Sequence, residues 1–141
     1  MAQSTRSWLV KEEPEHYSYG QLERDRRTVW TGVRNPLAQK HLRTIRKGDR
    51  IFYYHTGKEK AVVAVARALS DAYTDPSDPT GTLFVVDIAP DAPLAHPVPL
   101  AAIKADGGFA SFPLVRMPRL SVMPVTDAEW KRIAAMSRSN S

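Results

Sequence analysis

The chain has 141 residues, 43% hydrophobic and 25% charged, the make-up of one packed domain rather than a disordered or fibrous chain. It contains no cysteine, which excludes disulfides, thiolate metal sites and cysteine nucleophiles, and no apolar run nears the roughly 18 residues that a membrane-spanning helix requires. The net charge of +5 suits phosphate-bearing partners and is unevenly spread: Arg24, Arg26, Arg27, Arg34, Lys40, Arg43, Arg46, Lys47 and Arg50 crowd residues 24–50, while acidic residues gather between 71 and 91.

The opening residues M-A-Q-S-T-R-S lack the apolar stretch of a secretory signal, so a cytoplasmic protein with no membrane partner is expected. Residues 8–11 form a short apolar run ended by Glu12-Glu13-Pro14, a first strand with a sharp exit. Ser18 offers an N-cap to a short helix over 19–24, and residues 28–30 are brief but β-prone. Asn35-Pro36 opens the best-marked helix: Asn accepts from orphan amides and proline suits the first helical position. From there Leu37, Ala38, His41, Leu42 and Ile45 share one face, Lys40, Arg43, Arg46 and Lys47 share the other, and Gly48 is the expected stop. His41 is expected to be mostly buried.

Residues 50–55 and 61–68 read as strands around a turn at Gly57, the second buried on both faces. Residues 74–82 are a loop and 83–89 a strand, after which four prolines make 90–99 irregular or an edge segment. A short helix over 100–105 stops at Gly107-Gly108, and 120–125 is the last strand. Thr126 and Glu129 have the spacing of a capping box opening a closing helix that carries Trp130, Ile133 and Ala134, with 137–141 a polar tail. Strands outnumber helices without a βαβ alternation. A single α+β domain over 1–141, its core about 8–135, is expected: a small mixed or antiparallel barrel with peripheral helices.

The histidines, at 16, 41, 55 and 96, lack the spacing of a metal motif, and G-x-x-x-x-G-K-[ST], G-x-G-x-x-G and G-x-S-x-G are absent. Ser111 and Ser121 have no neighbouring base in sequence to activate them. No metal, cofactor or catalytic residue is therefore expected. Four segments remain as candidates for chemistry. Lys11, Glu12 and Glu13 are either a proton-transfer set or a solvated strand end. Trp30, with Gly32, Val33, Arg34 and Asn35, is either a stacking surface beside donors for a planar polar ligand or a core indole beside a turn, with Asn35 primarily a helix cap. Tyr53, Tyr54, His55 and Thr56 end a strand in polar tips, His55 being more readily a hydrogen-bonding anchor than a catalyst. Lys40, Arg43, Arg46 and Lys47 are either a solvated face or a phosphate-binding one.

Taken in order, W-L-V-K-E-E-P, W-T-G-V-R-N-P-L-A-Q-K-H-L-R, K-G-D-R-I-F-Y-Y-H-T and R-L-S-V-M-P-V-T resemble the EVE domain family, which is similar to the PUA, ASCH and YTH domains. The resemblance spans about Trp8 to Trp130. It implies a PUA-like fold, a curved mixed β-barrel of about five strands with peripheral helices, and a concave pocket for a modified base with a basic rim. Residue by residue, Lys11 and Glu13 match the family's K-S-E-P segment, Trp30 and Gly32 to Asn35 its W-D-G-V-R-N turn, Tyr54, His55 and Thr56 its Y-H-S strand end, and Leu120 and Ser121 its R-L-S segment. Glu12 replaces a serine, Thr31 an aspartate and Thr56 a serine, and Met117-Pro118 stands where polar residues are expected. The negative charge around the pocket is therefore redistributed, so the ligand's identity does not carry over.

The resulting expectation is a non-enzymatic module that binds DNA or RNA and recognises a nucleobase, modified bases foremost. Its base pocket comprises Lys11, Glu12, Glu13, Trp30, Gly32, Val33, Arg34, Asn35, Tyr54, His55, Thr56, Leu120 and Ser121, and its phosphate contacts Lys40, Arg43, Arg46 and Lys47. The alternatives are an RNA- or nucleotide-modifying enzyme using Glu13, Lys11 and His55, and a small-molecule-binding or interaction adaptor.

Overall fold

The computed structural model describes residues 6–139. Its strands are β1 (Ser7–Glu12), β2 (Thr28–Trp30), β3 (Arg50–His55), β4 (Ala61–Ala68), β5 (Tyr73–Thr74), β6 (Phe84–Pro99) and β7 (Val122–Val125). Around them lie α1 (Pro14–Tyr17), α2 (Tyr19–Asp25), α3 (Pro36–Leu42), α4 (Leu100–Ala105), a 3₁₀ turn (Gly107–Phe109), α5 (Pro113–Arg116) and α6 (Asp127–Ser139). The sheet order is β2-β6-β4-β3-β1-β7, with β5 attached to β6. Only β1 and β3 pair in parallel; every other pairing is antiparallel, giving a mixed sheet curled into a half-barrel. The expected architecture holds, with the two shortest strands, β2 and β5, added to a body of five. No helix among the described residues is long and apolar enough to cross a membrane.

Leu9, Ile51, Phe52, Tyr53, Val62, Ala64 and Ile133 are completely buried. Phe52 stacks flat on Trp130 of α6 (centroids 3.6 Å apart, 15° between planes), and Arg50 lies 4.2 Å over the other side of that indole. The capping box forms as its spacing predicts: Thr126 Oγ1 accepts from the Glu129 amide, and Glu129 Oε1 accepts from the Thr126 amide. Short helices α1 and α5, each opened by a proline, have too few residues to show a period and were not anticipated.

Three expectations are corrected. First, α3 ends at Leu42 instead of running on towards Gly48. Ile45 turns into the core, Asp49 Oδ2 takes the Arg46 amide, and Gly48, at φ +91°, gives its amide to the Ala68 carbonyl. Tertiary anchors thus outweigh the helical periodicity, and the four cations do not share one helical face.

Second, residues 90–99 are not irregular: they continue β6, as an edge. β2 covers β6 only at Val86 to Ile88, so the proline-rich half pairs with β4 alone, and two register shifts there absorb the missing donors. Third, Ser137 belongs to α6 rather than to a polar tail. It is buried, and its Oγ bonds both the amide and the carbonyl of His96. Residues 140–141 lie outside the described residues.

Candidate functional site

Parallel pairing sets Lys11 beside Tyr54 and Glu12 beside His55 at the ends of β1 and β3. Most polar groups here have partners within the protein. His55 Nε2 accepts the Tyr19 amide at 3.0 Å, so the ring hydrogen sits on Nδ1, 2.8 Å from Glu59 Oε1. Glu12 accepts from the Glu13 amide and contacts His16 Nδ1 at 3.0 Å, while its carbonyl takes the Thr56 amide. Lys11 is half-buried: Nζ donates to the Pro118 carbonyl at 2.8 Å and lies 5.8 Å from the centre of the Tyr54 ring. Burial pulls the Lys11 ammonium below its usual pKa and pushes the Tyr54 hydroxyl up. Glu13 is exposed and starts α1. No two of Lys11, Glu13 and His55 share a hydrogen bond.

Trp30 ends β2 almost wholly buried, at 6% exposure, with its ring edge-on to Tyr53 (5.5 Å, 83°). Tyr53 in turn donates to the Tyr17 carbonyl at 2.5 Å, and burial raises its pKa strongly. The indole therefore shapes the wall behind the site and presents no open stacking face. Gly32, at φ +78°, makes the turn that follows; a side chain there would be strained. Gln39 pins that turn to β6, donating to the Val33 and Phe84 carbonyls and accepting from the Phe84 amide. Beyond it Arg34 is exposed with no partner among the described residues. Asn35 Oδ1 accepts the Ala38 amide at 3.0 Å. Capping thus consumes the carboxamide oxygen and leaves its NH₂ group free.

Asn35 and Leu37 form one wall of a cleft of about 460 Å³ whose other wall is Arg116, Met117, Pro118, Arg119 and Leu120. Lys11 ties this second wall to the sheet twice, through Nζ to Pro118 and through its amide to the Ser121 carbonyl. Apolar side chains line the cleft, Arg116 and Arg119 are exposed at it, and no carboxylate among the described residues lines it. Of the sequence candidates, Asn35 and Leu120 line this cleft; Lys11 and Ser121 support it. Glu12, Glu13, Tyr54, His55 and Thr56 cluster at the β1–β3 end, and Trp30, Gly32 and Val33 build the turn that carries Arg34.

Arg116, Met117, Pro118 and Arg119 were not anticipated as lining. The available signal was R-M-P-R itself, an apolar pair between two arginines; Met117 is 42% exposed. A second depression, of about 550 Å³, is lined by Lys40, Arg43 and Thr44, with Arg43 lying 4.8 Å over the Phe84 ring. Arg46 instead bonds the Arg43 and Ile45 carbonyls, and the amide of Lys47 is held by Asp71. Among the described residues no group of His, Asp and Glu is arranged to hold a metal ion.

Comparison with known proteins agrees with this architecture. The sequence profile of the EVE domain matches residues 6–136. Thymocyte nuclear protein 1 of Gallus gallus is 28% identical over 163 residues, covering 92% of this chain and 67% of that protein. A solution structure of a Rhodopseudomonas palustris protein is 43% identical with a TM-score of 0.90, covering 95% of this chain and 94% of the other. The crystal structure of the human THYN1 protein in complex with 5-methylcytosine-containing DNA superposes with a TM-score of 0.89 at 24% identity, over 97% of this chain and 100% of that one.

Proposed function

The chain belongs to the EVE domain family, and from that premise we propose that it is a binding module, not an enzyme, that captures an extruded nucleobase of DNA or RNA, with modified cytosine the foremost candidate. The cleft between Asn35 and the Arg116–Leu120 wall carries this reading: it is apolar in its lining, cationic at its rim and, among the described residues, free of carboxylates. A flat base edge rich in acceptors suits such a wall. Arg34, Arg116, Arg119 and the free NH₂ of Asn35 supply donors, while Leu37, Met117, Pro118 and Leu120 flank the ring and any methyl group on it. Lys11, Glu12, Glu13, Tyr54, His55, Thr56 and Ser121 brace the strand ends behind the site, and Trp30, Gly32 and Val33 hold the Arg34 turn. The complex of human THYN1 with 5-methylcytosine-containing DNA supports the choice of ligand class. Turnover finds less support, because both His55 ring nitrogens are bonded within the protein and the Lys11 ammonium is tied to the Pro118 carbonyl.

Extruding a base costs a few kcal/mol, so unpaired or modified positions are favoured. The test is binding of the full chain to matched oligonucleotides, single- and double-stranded, with and without one 5-methylcytosine, at two salt concentrations. A preference for the modified strand that survives the higher salt and is lost in Arg119→Ala is expected. Equal affinity for both strands that collapses with salt would leave a basic surface and no base site.

A further inference from the structure

Helix α3 borders both depressions. Leu37 lines the cleft, and Lys40, Arg43 and Thr44 line the basic groove. Residues three and four apart are neighbours on a helix surface, so Leu37, Lys40 and Thr44 form one stripe, with Arg43 beside it. The stripe survives the end of the helix, because Arg43 keeps a helical backbone and its amide still reaches the Gln39 carbonyl. Cleft and groove are therefore consecutive stations along a single edge. From Leu37 to Arg43 the distance is about 9 Å at 1.5 Å per residue. Stacked nucleotides of one strand advance by about 3.4 Å, so this span is two to three steps.

The groove differs from the other basic groups nearby. Arg46 is spent on carbonyls, and Lys47, whose backbone amide is held by the Asp71 carboxylate, does not line the groove, whereas Lys40 and Arg43 line it and have no acceptor among the described residues. Arg43 is also steadied over Phe84, so its guanidinium is pre-placed and loses less freedom when it takes an anion. Thr44 completes the lining without adding a donor, because its hydroxyl hydrogen is given to the His41 carbonyl.

We propose that this groove holds a backbone phosphate two to three nucleotides from the extruded base on the same strand, so that the recognised unit is a short single-stranded stretch of three to four nucleotides. The proposal rests on the base-cleft reading and specifies the partner of that site. Phosphate recognition is thereby confined to Lys40 and Arg43, excluding Arg46 and Lys47.

The test is fluorescence anisotropy of the full chain with single strands of one to six nucleotides, each carrying one 5-methylcytosine or one unmodified cytosine, over a series of salt concentrations. Affinity is expected to climb to three or four nucleotides and then level off. The double variant Lys40→Gln/Arg43→Gln loses that climb, and its salt slope falls by about 0.7 for each charge removed. A charge-matched control, Lys104→Gln/Lys131→Gln, on exposed positions of α4 and α6, keeps the climb. If the two double variants behave alike, or if affinity rises evenly to six nucleotides, the groove assignment is overturned. Absence of any difference between modified and unmodified strands, with a climb that still depends on Lys40 and Arg43, would instead overturn the base-cleft reading and spare the groove. No binding to any strand overturns both.

Discussion

Two polar regions flank the same sheet and are finished in opposite ways. At the start of β1 and β3, Asp49 is buried and its carboxylate accepts from the Trp8 indole, the Arg6 amide and the Arg46 amide. Around the cleft and the groove, by contrast, Arg34, the NH₂ of Asn35, Lys40 and Arg43 are exposed with no protein acceptor among the described residues. Buried polar groups are almost always satisfied, because leaving one bare costs about 1–3 kcal/mol. Exposed donors carry no such penalty and lose only water when a ligand arrives. The contrast separates groups that hold the fold from groups available to a partner, which residue type alone does not do.

The sharpest way to break that division is Asp49→Ala. It strands three donors, one of them a buried indole N–H, and is expected to cost about 3 kcal/mol of folding stability in chemical denaturation. Asp49→Asn keeps one oxygen acceptor and is expected to lose less. If Asp49→Ala unfolds no more readily than the parent chain, the distinction between the two regions fails. On the other side, Arg119→Ala is expected to weaken oligonucleotide binding by roughly tenfold, the worth of one charge-assisted hydrogen bond, while stability stays within about 0.5 kcal/mol. A large loss of stability in that variant would return Arg119 to the structural group.

Asn35 stands on the boundary, and two substitutions divide its roles. Removing the cap with Asn35→Ala is expected to cost about 1 kcal/mol of stability, whereas Asn35→Ser preserves capping. If the free NH₂ reads a base edge, both variants bind more weakly; if Asn35 only caps, the serine variant binds like the parent chain. Paired thermal denaturation and binding curves give the answer.

The same distinction accounts for what was legible in the sequence. Local signals carried through wherever local chemistry decides: Ser18 caps α2, Asn35 caps α3, and Thr126 with Glu129 closes its box. His55 proved to be the hydrogen-bonding anchor its position predicts. Legibility failed where a distant partner decides. Asp49 and Ala68 stop α3 early, β4 straightens a proline-rich segment into an edge strand, and His96 recruits Ser137. The cleft was half legible for the same reason. Asn35, Arg119 and Leu120 sit in segments with a family pattern, but Arg116, Met117 and Pro118 carry none, and Lys11, more than a hundred residues earlier, ties their loop to β1.

The smallest expected effect lies where the two regions meet, at adjacent residues. Lys40 faces the open groove, while His41 is half-buried, its ring 6.5 Å from that of Trp8. Burial first, and the Lys40 charge second, hold the His41 imidazole below its usual 6.5. The unfolded chain therefore binds this proton more readily than the folded one. The stability tied to His41 is intact above pH 6.5 and is lost as pH falls from there through the lower, folded value. His41→Gln is accordingly expected to flatten the acid side of the stability profile. Occupation of the groove adds a consequence that a purely structural histidine lacks. A phosphate on Lys40 offsets its charge, so the His41 titration followed by NMR is expected to move upward when a short oligonucleotide is added, with slight proton uptake on binding near pH 6. An unmoved titration in the presence of bound strand would place the phosphate away from Lys40 and break the link between the two regions at this point.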